Sequence, residues 1–366
     1  MKKTIAENLI RYRKGLSLSQ EQLAEEVGVT RQNINDFENA KTLPDSKTLS
    51  ALARALGVTL DDLLRADKET IPNFRFRAHA SHKQKPQFVA QVRRLLETYN
   101  ALEQVVGLSP YTPESTPCHE VKGNEERIAD IATQFRHRLG MGDGPIFNLF
   151  EATEKIGLKV LRQPIPMKNF FGLSAYSANQ GAFVLVHSHN ITIERQLFTL
   201  AHEIGHLIFH RDEYEDTLIN IGTKEEEKAR EKVADYFASH LLVPQDALER
   251  ALNDIKALSP LKAHFRVSYQ MILMRLEEMG GLKYSDSIKQ IRWQYKQSTG
   301  KSLTNDIEIE PCLSESEFPE NQRFKTLVWQ SFKIGKISEL KAAELLNLKV
   351  EELEKRRQER EVYAIA

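Results

Sequence analysis

The stretch Thr199-Leu-Ala-His-Glu-Ile-Gly-His-Leu-Ile-Phe-His210 constrains this chain more than any other. His202 and His206, at i and i+4, stand on one face of a helix, close enough to share one metal ion. Glu203 lies about 100° around the helix from His202, where a carboxylate can reach water activated by the metal. Leu197, Phe198, Leu200, Ile204 and Leu207 surround these residues, so the helix reads as buried. Two histidines and a glutamate inside a core are costly without partners, and a metal ion removes that cost.

A second motif follows. Glu231-Lys-Val-Ala-Asp235-Tyr-Phe-Ala-Ser-His-Leu-Leu-Val-Pro244 again sets two carboxylates at i and i+4, with Ala234, Phe237, Ala238, Leu241 and Leu242 available for packing. Glu231 is the natural third ligand of a Zn2+ ion, and Asp235 an outer partner that fixes one histidine ring. Three protein ligands leave one position for water, the arrangement of a catalytic zinc site, with Glu203 as the base that takes the water's proton. Other residues compete for roles. Asp212 stands where another zinc-protease class places its third ligand, although that class wants Gly at the position of Phe209. His210 repeats the i+4 spacing and reads as a packed or hydrogen-bonded histidine. His187 and His189 follow an apolar strand, Phe183-Val-Leu-Val186, and read as loop residues; the other reading places one of them in the cleft, stabilising an oxyanion.

At the other end of the chain two short helices stand close together. Ser19 caps Gln20–Val27, with Gln22 three residues later; Gly28 can take the left-handed conformation that ends this helix; Thr30 then caps Arg31–Glu38. Leu23, Ala24, Val29, Ile34 and Phe37 supply the small and apolar contacts of a helix pair. Such a pair is a helix-turn-helix, whose second helix enters the major groove of double-stranded DNA by its N-terminal residues. Arg31, Gln32, Asn33 and Asn35 are therefore the candidate operator contacts, since Gln and Asn pair with adenine edges and Arg with guanine.

Both halves resemble known families. The run SQEQLAEEVGVTRQNINDFENAKTLPDSKTLSALARALGV resembles the Cro/C1-type (XRE) helix-turn-helix family nearly from end to end, departing at Ala40, where many members carry Gly. The stretch from about 125 to 280 resembles the ImmA/IrrE metallopeptidases, on ERQLFTLAHEIGHLIFH and EKVADYFASHLLVP, with GLKVL and FGLSAY upstream and a small helical unit at 261–280. The second resemblance implies a gluzincin-like site with ligands His202, His206 and Glu231, catalytic Glu203, and proteolysis of a regulatory protein, typically a helix-turn-helix repressor.

The fold expected is multidomain: an all-α helix-turn-helix bundle (1–66), a basic and helical linker (67–117), an α+β zincin-like metallopeptidase domain of gluzincin type (118–284), and a helical C-terminal region (285–366). The linker carries the basic stretch 75–94 and a Pro/Ser/Thr cluster, SPYTPESTP (109–117), that reads as a turn or flexible tether. Residues 337–360 read as helix, turn, helix; a helical cap or dimer contact is favoured there over a second DNA-contacting unit. Lys+Arg and Asp+Glu both number 51, so any DNA contact must come from local charge. Two cysteines, no signal-length apolar start and no membrane-length apolar run point to a cytoplasmic protein.

The function expected is a DNA-binding transcription regulator whose zinc-dependent endopeptidase cleaves a repressor or antitoxin-type protein, or itself. The alternative is a non-proteolytic regulator whose zinc site senses metal or binds a peptide. A homodimer is expected for a helix-turn-helix that reads a palindrome.

Overall fold

The structure is a computed structural model that describes residues 2–15, 18–56, 58, 60–64, 86–165, 167, 170–214, 224–281, 283–304 and 307–365. The chain divides into two compact units, the first ending at Ala101 and the second running from Leu102 onward. The basic stretch 75–94 lies outside the described residues up to 85.

The first unit opens with helices α1 (Lys2–Gly15), α2 (Gln20–Val27), α3 (Arg31–Glu38), α4 (Ser46–Leu56) and α5 (Leu60–Leu64). Leu9, Leu23, Ile34, Leu52 and Leu63 are buried at its centre. Both caps expected around the turn are formed. The Ser19 side chain accepts from Gln22 N–H, Thr30 accepts from Asn33 N–H, and Gly28 takes φ +75°. One interaction had no signal in the sequence pattern: Arg13 forks onto the buried carboxylate of Glu38 at 2.5 and 2.8 Å, and Gln20 adds a third bond at 2.8 Å. This network ties α1 and α2 to the end of α3. Helix α6 (Pro86–Val105) follows, with Arg93 over the ring of Tyr12 at 5.2 Å.

In the second unit, α7 (Glu125–Arg138) and α8 (Leu149–Lys155) precede three strands, β1 (Lys159–Gln163), β2 (Gly172–Ser177) and β3 (Gly181–His187). The sheet order is β1-β3-β2, with β3 parallel to β1 and antiparallel to β2. The run Phe183-Val-Leu-Val186 makes β3 the central strand, buried along its whole length. Helices α9 (Ile193–Phe209) and α10 (Lys224–Leu242) pack against each other, and α9 also covers β2 and β3. Then come α11 (Gln245–Asp254), α12 (Leu258–Phe265), α13 (Tyr269–Glu278), α14 (Tyr284–Thr299), α15 (Gln322–Lys333), α16 (Glu339–Leu346) and α17 (Val350–Ile365). This is the α+β arrangement expected after an all-α start, with a helical C-terminus.

The segment 109–117 is not a loose tether. Thr116 N–H and Cys118 N–H donate to the carbonyls of Ile208 and Phe209 at 2.9 and 3.3 Å, and Ala182 N–H donates to the carbonyl of Tyr111 at 2.8 Å. A proline-rich segment has no ladder of its own, and the last carbonyls of a helix have no intrahelical donor. Here each supplies what the other lacks.

The C-terminal region closes the β1 edge of the sheet. Asn321 bonds both backbone groups of Arg162 on edge strand β1, at 2.7 and 3.1 Å. Arg162 reaches the carbonyl of Phe318 at 2.6 Å and lies over the ring of Phe150. Beneath β1, Glu103 is buried between Lys159 at 2.9 Å and Arg323 at 2.6 Å.

Candidate metal centre and helix-turn-helix

The site begins with the crossing of α9 and α10. A Cβ at Gly205 would stand 3.1 Å from Cα of Ala234, tighter than side chains normally pack, so the bare backbone lets the helices approach. Glu231 lies one turn before Ala234, which brings its carboxylate to the histidine face of α9.

Three donors converge there. The Nε2 atoms of His202 and His206 are 3.0 Å apart, and the Glu231 oxygens lie 3.2 Å from the first and 3.4 Å from the second. Zinc–nitrogen and zinc–oxygen bonds near 2.0–2.1 Å at tetrahedral angles place ligand atoms about 3.3 Å apart. The geometry therefore fits a metal ion of that size. Among the described residues, His202, His206 and Glu231 form the cluster able to hold one. The side chain of Asp212 lies outside the described residues.

Electrostatics agree with the donor set. Burial pulls the His202 imidazolium down, but hydrogen bonds to Asp235 and Glu231 outweigh it and raise the pKa to about 10. Burial pushes the Glu231 carboxyl up, yet the two histidines facing it hold it well below the usual carboxylate range. The field of the carboxylates favours positive charge between the rings, which a divalent cation supplies.

Each ring is held from behind. Asp235 Oδ1 stands 2.8 Å from Nδ1 of His202, as its spacing suggests. His210 Nδ1 stands 2.9 Å from Nδ1 of His206, so it is indeed a hydrogen-bonded histidine. Glu203 is buried beside the cluster on the same helix, and its Oε2 accepts a 2.5 Å bond from Ser174 on β2. Since the carboxylate only accepts, the Ser174 proton points at Glu203, and Ser174 Oγ accepts from the Tyr214 hydroxyl 2.7 Å away. Ser174 and Tyr214 were not singled out from sequence. The available signal was a small polar residue inside the otherwise apolar FGLSAY strand.

His187 corrects the sequence reading. It ends β3 rather than lying in a loop, and it is buried. Its Nδ1 accepts from Ile165 N–H at 2.9 Å, and burial pushes its pKa down. His189 is exposed beyond the strand end.

In the first unit, Arg31, Gln32 and Asn33 are exposed at the start of α3, and Asn35 is half-buried. Asn33 closes a capping box with Thr30, Gln32 donates to Asp36 at 2.9 Å, and Asn35 accepts from Asn39. The start of α3 is thus held in place by its own side chains. Ala40, the departure from the usual glycine, takes φ +54°.

Among the described residues, no helix is long and apolar enough to cross a membrane. The M78 peptidase family model, described as the IrrE N-terminal-like domain, matches residues 153–277, and a helix-turn-helix model matches residues 9–63. The SPbeta prophage-derived uncharacterized HTH-type transcriptional regulator YonR of Bacillus subtilis (strain 168) is 41% identical over 59 residues, 16% of this chain and 55% of that protein. The HTH-type transcriptional activator BcrR of Enterococcus faecalis is 37% identical over 62 residues, 17% of this chain and 30% of that protein. The chain thus spans about a third to a half of these relatives. A solved Mycobacterium tuberculosis transcriptional regulator shares 17% identity over 49% of this chain and 51% of that one, at a TM-score of 0.32. From the two family models, the chain carries a helix-turn-helix domain of XRE type followed by an IrrE N-terminal-like domain.

Proposed function

We propose that this protein is a DNA-binding transcription regulator that is also a zinc-dependent endopeptidase, cleaving a helix-turn-helix repressor, an antitoxin-type protein or itself. The observation that carries it is the convergence of His202, His206 and Glu231 within zinc-ligand spacing, beside a buried Glu203. The XRE-type domain and the named regulators support the DNA-binding half, with double-stranded operator DNA read by Arg31, Gln32, Asn33 and Asn35 of α3.

Zinc, when bound, supplies Lewis acidity toward a peptide carbonyl and toward water. His202 and His206 would offer neutral lone pairs and Glu231 one negative charge, a donor set that would leave a bound divalent ion with net positive charge. Glu203 takes a proton from water and returns it to the departing amine. Ser174 fixes the orientation of that carboxylate, and Tyr214 orients Ser174. Asp235 keeps the His202 proton on Nδ1 and its lone pair on Nε2.

Metal content of the purified protein, beside Glu231→Ala, tests the ligand set: about one zinc per chain is expected in the parent and little in the variant. Incubation with helix-turn-helix repressors from the same genome, with Glu203→Gln alongside, tests the chemistry. Chelator-sensitive cleavage lost in Glu203→Gln supports proteolysis. Metal bound at full occupancy with equal cleavage by parent and variant sinks it.

A further inference from the structure

We propose that His210 is a positioning residue of the metal site: its unprotonated Nδ1 accepts the Nδ1–H of His206 and so holds the Nε2 lone pair of His206 toward the metal. This rests on the metal-site reading above and deepens it. The argument begins with two nitrogens 2.9 Å apart on residues 0% and 1% exposed. One proton fits between them, and either ring can carry it. The choice is made at the other end of His206, whose Nε2 faces His202 and Glu231. A metal ligand must offer a lone pair there, so the single proton of neutral His206 sits on Nδ1. His210 is then the acceptor, and its own proton sits on Nε2.

The two ligand histidines are thus backed by different chemistries, in keeping with their surroundings. Asp235 is 44% exposed at its side chain, where solvent stabilises a carboxylate. The place behind His206 is closed. There a second carboxylate would carry a buried charge, whereas a neutral imidazole accepts the same proton without it.

The chain also fixes His210 firmly. It ends α9 with non-helical φ −127° and ψ 22°, while its N–H still bonds the His206 carbonyl at 2.9 Å. Thr116 and Cys118 bond the two carbonyls before it, and the His119 ring lies 6.0 Å from its own.

The test is zinc affinity by competition with a chelator for the full-length wild type, His210→Leu and His210→Asn. Leu keeps bulk and removes the acceptor; Asn places an oxygen near the position of Nδ1. Loss of an outer partner of this kind costs about 10–100-fold in metal affinity, so that is expected for Leu, with most affinity kept by Asn. Equal affinity of Leu and wild type overturns the proposal, as does an Asn variant that binds as weakly as Leu. Nitrogen-15 shifts of the zinc-loaded wild type read the protons without any variant: Nδ1–H on His206 with Nε2–H on His210 is expected, and Nδ1–H on His210 overturns it. A folded wild type that takes up no zinc removes the metal-site reading itself.

Discussion

The chain contains the same short geometry at both ends, and the two copies present opposite surfaces. In α2–α3 and in α16–α17, an eight-residue helix capped by serine ends in a left-handed residue, Gly28 or Asn347. The next residue, Val29 or Leu348, then donates back to the same carbonyl position, that of Ala24 or Ala343. The second helix starts three residues after the left-handed one and buries its fourth residue, Ile34 or Leu353. Helices α12 and α13 repeat the spacing around Arg266 at φ +58°, with Ile272 buried. What differs is the exposed start of the second helix. It shows Arg31, Gln32 and Asn33 in α3, and Glu351 and Glu352 in α17, after a half-buried Val350. In α13 it is closed, with Tyr269 buried and its N–H on Glu308. Spacing and one left-handed residue make the fold; the side chains on the second helix decide what it can read. Acidic groups at that position repel phosphate, so α17 has the shape of a DNA reader without the surface of one.

The largest break in this comparison is expected at the far end of the second helix. Glu38→Ala strands Arg13 at a nearly buried site and lowers the stability of the first unit by about 3 kcal/mol in thermal unfolding. Arg357→Ala, at the matching position of α17, is exposed and stays within about 0.5 kcal/mol. Similar losses from the two would show that the ends are held alike. Next comes DNA. Gln32→Ala weakens operator binding in a band shift by roughly tenfold, the effect of one amide-to-base pair, while Glu351→Ala with Glu352→Ala leaves it unchanged. The opposite result would move the reading surface to α17.

Backbone effects are smaller. Gly28→Ala meets nothing within 4 Å, so its cost is conformational, about 1 kcal/mol in denaturant unfolding. Asn347→Gly, where asparagine already tolerates the left-handed region, changes stability by less than about 0.5 kcal/mol. Smallest of all, Ala40→Gly relieves φ +54° and raises stability by about 0.5 kcal/mol once the looser unfolded chain is subtracted. A loss there would mean that the alanine methyl contributes packing that outweighs the strain.

Much of this was legible because it is local. Helix periodicity, the caps at Ser19 and Thr30, and the strand at Phe183–Val186 depend on neighbours in sequence, and the structure forms each of them. The pairing of HExxH with ExxxD was legible because each motif sits on one helix face. The rest depends on which elements meet. Nothing near Ser174 in sequence says that β2 will lie against Glu203. The pairing of Arg13 with Glu38 and the burial of Glu103 between Lys159 and Arg323 join residues far apart in the chain. His187 was misread because a histidine after an apolar run looks like a strand end in solvent; the unpaired Ile165 N–H that it satisfies cannot be seen from sequence.

The bonds from Thr116 and Cys118 to the end of α9, and from Asn321 to β1, bear on where the chain can be cut. A fragment from Cys118 to Tyr284 would include every ligand yet omit Thr116, Phe318, Asn321, Arg323 and the buried Glu103. Its last helical carbonyls and its edge strand would face water, and Lys159 would lose the buried carboxylate that pairs with it. A piece that keeps these contacts around His202, His206 and Glu231 therefore starts no later than Glu103 and runs past Arg323, so its limits follow hydrogen-bond and ion-pair closure and not the span of the motifs.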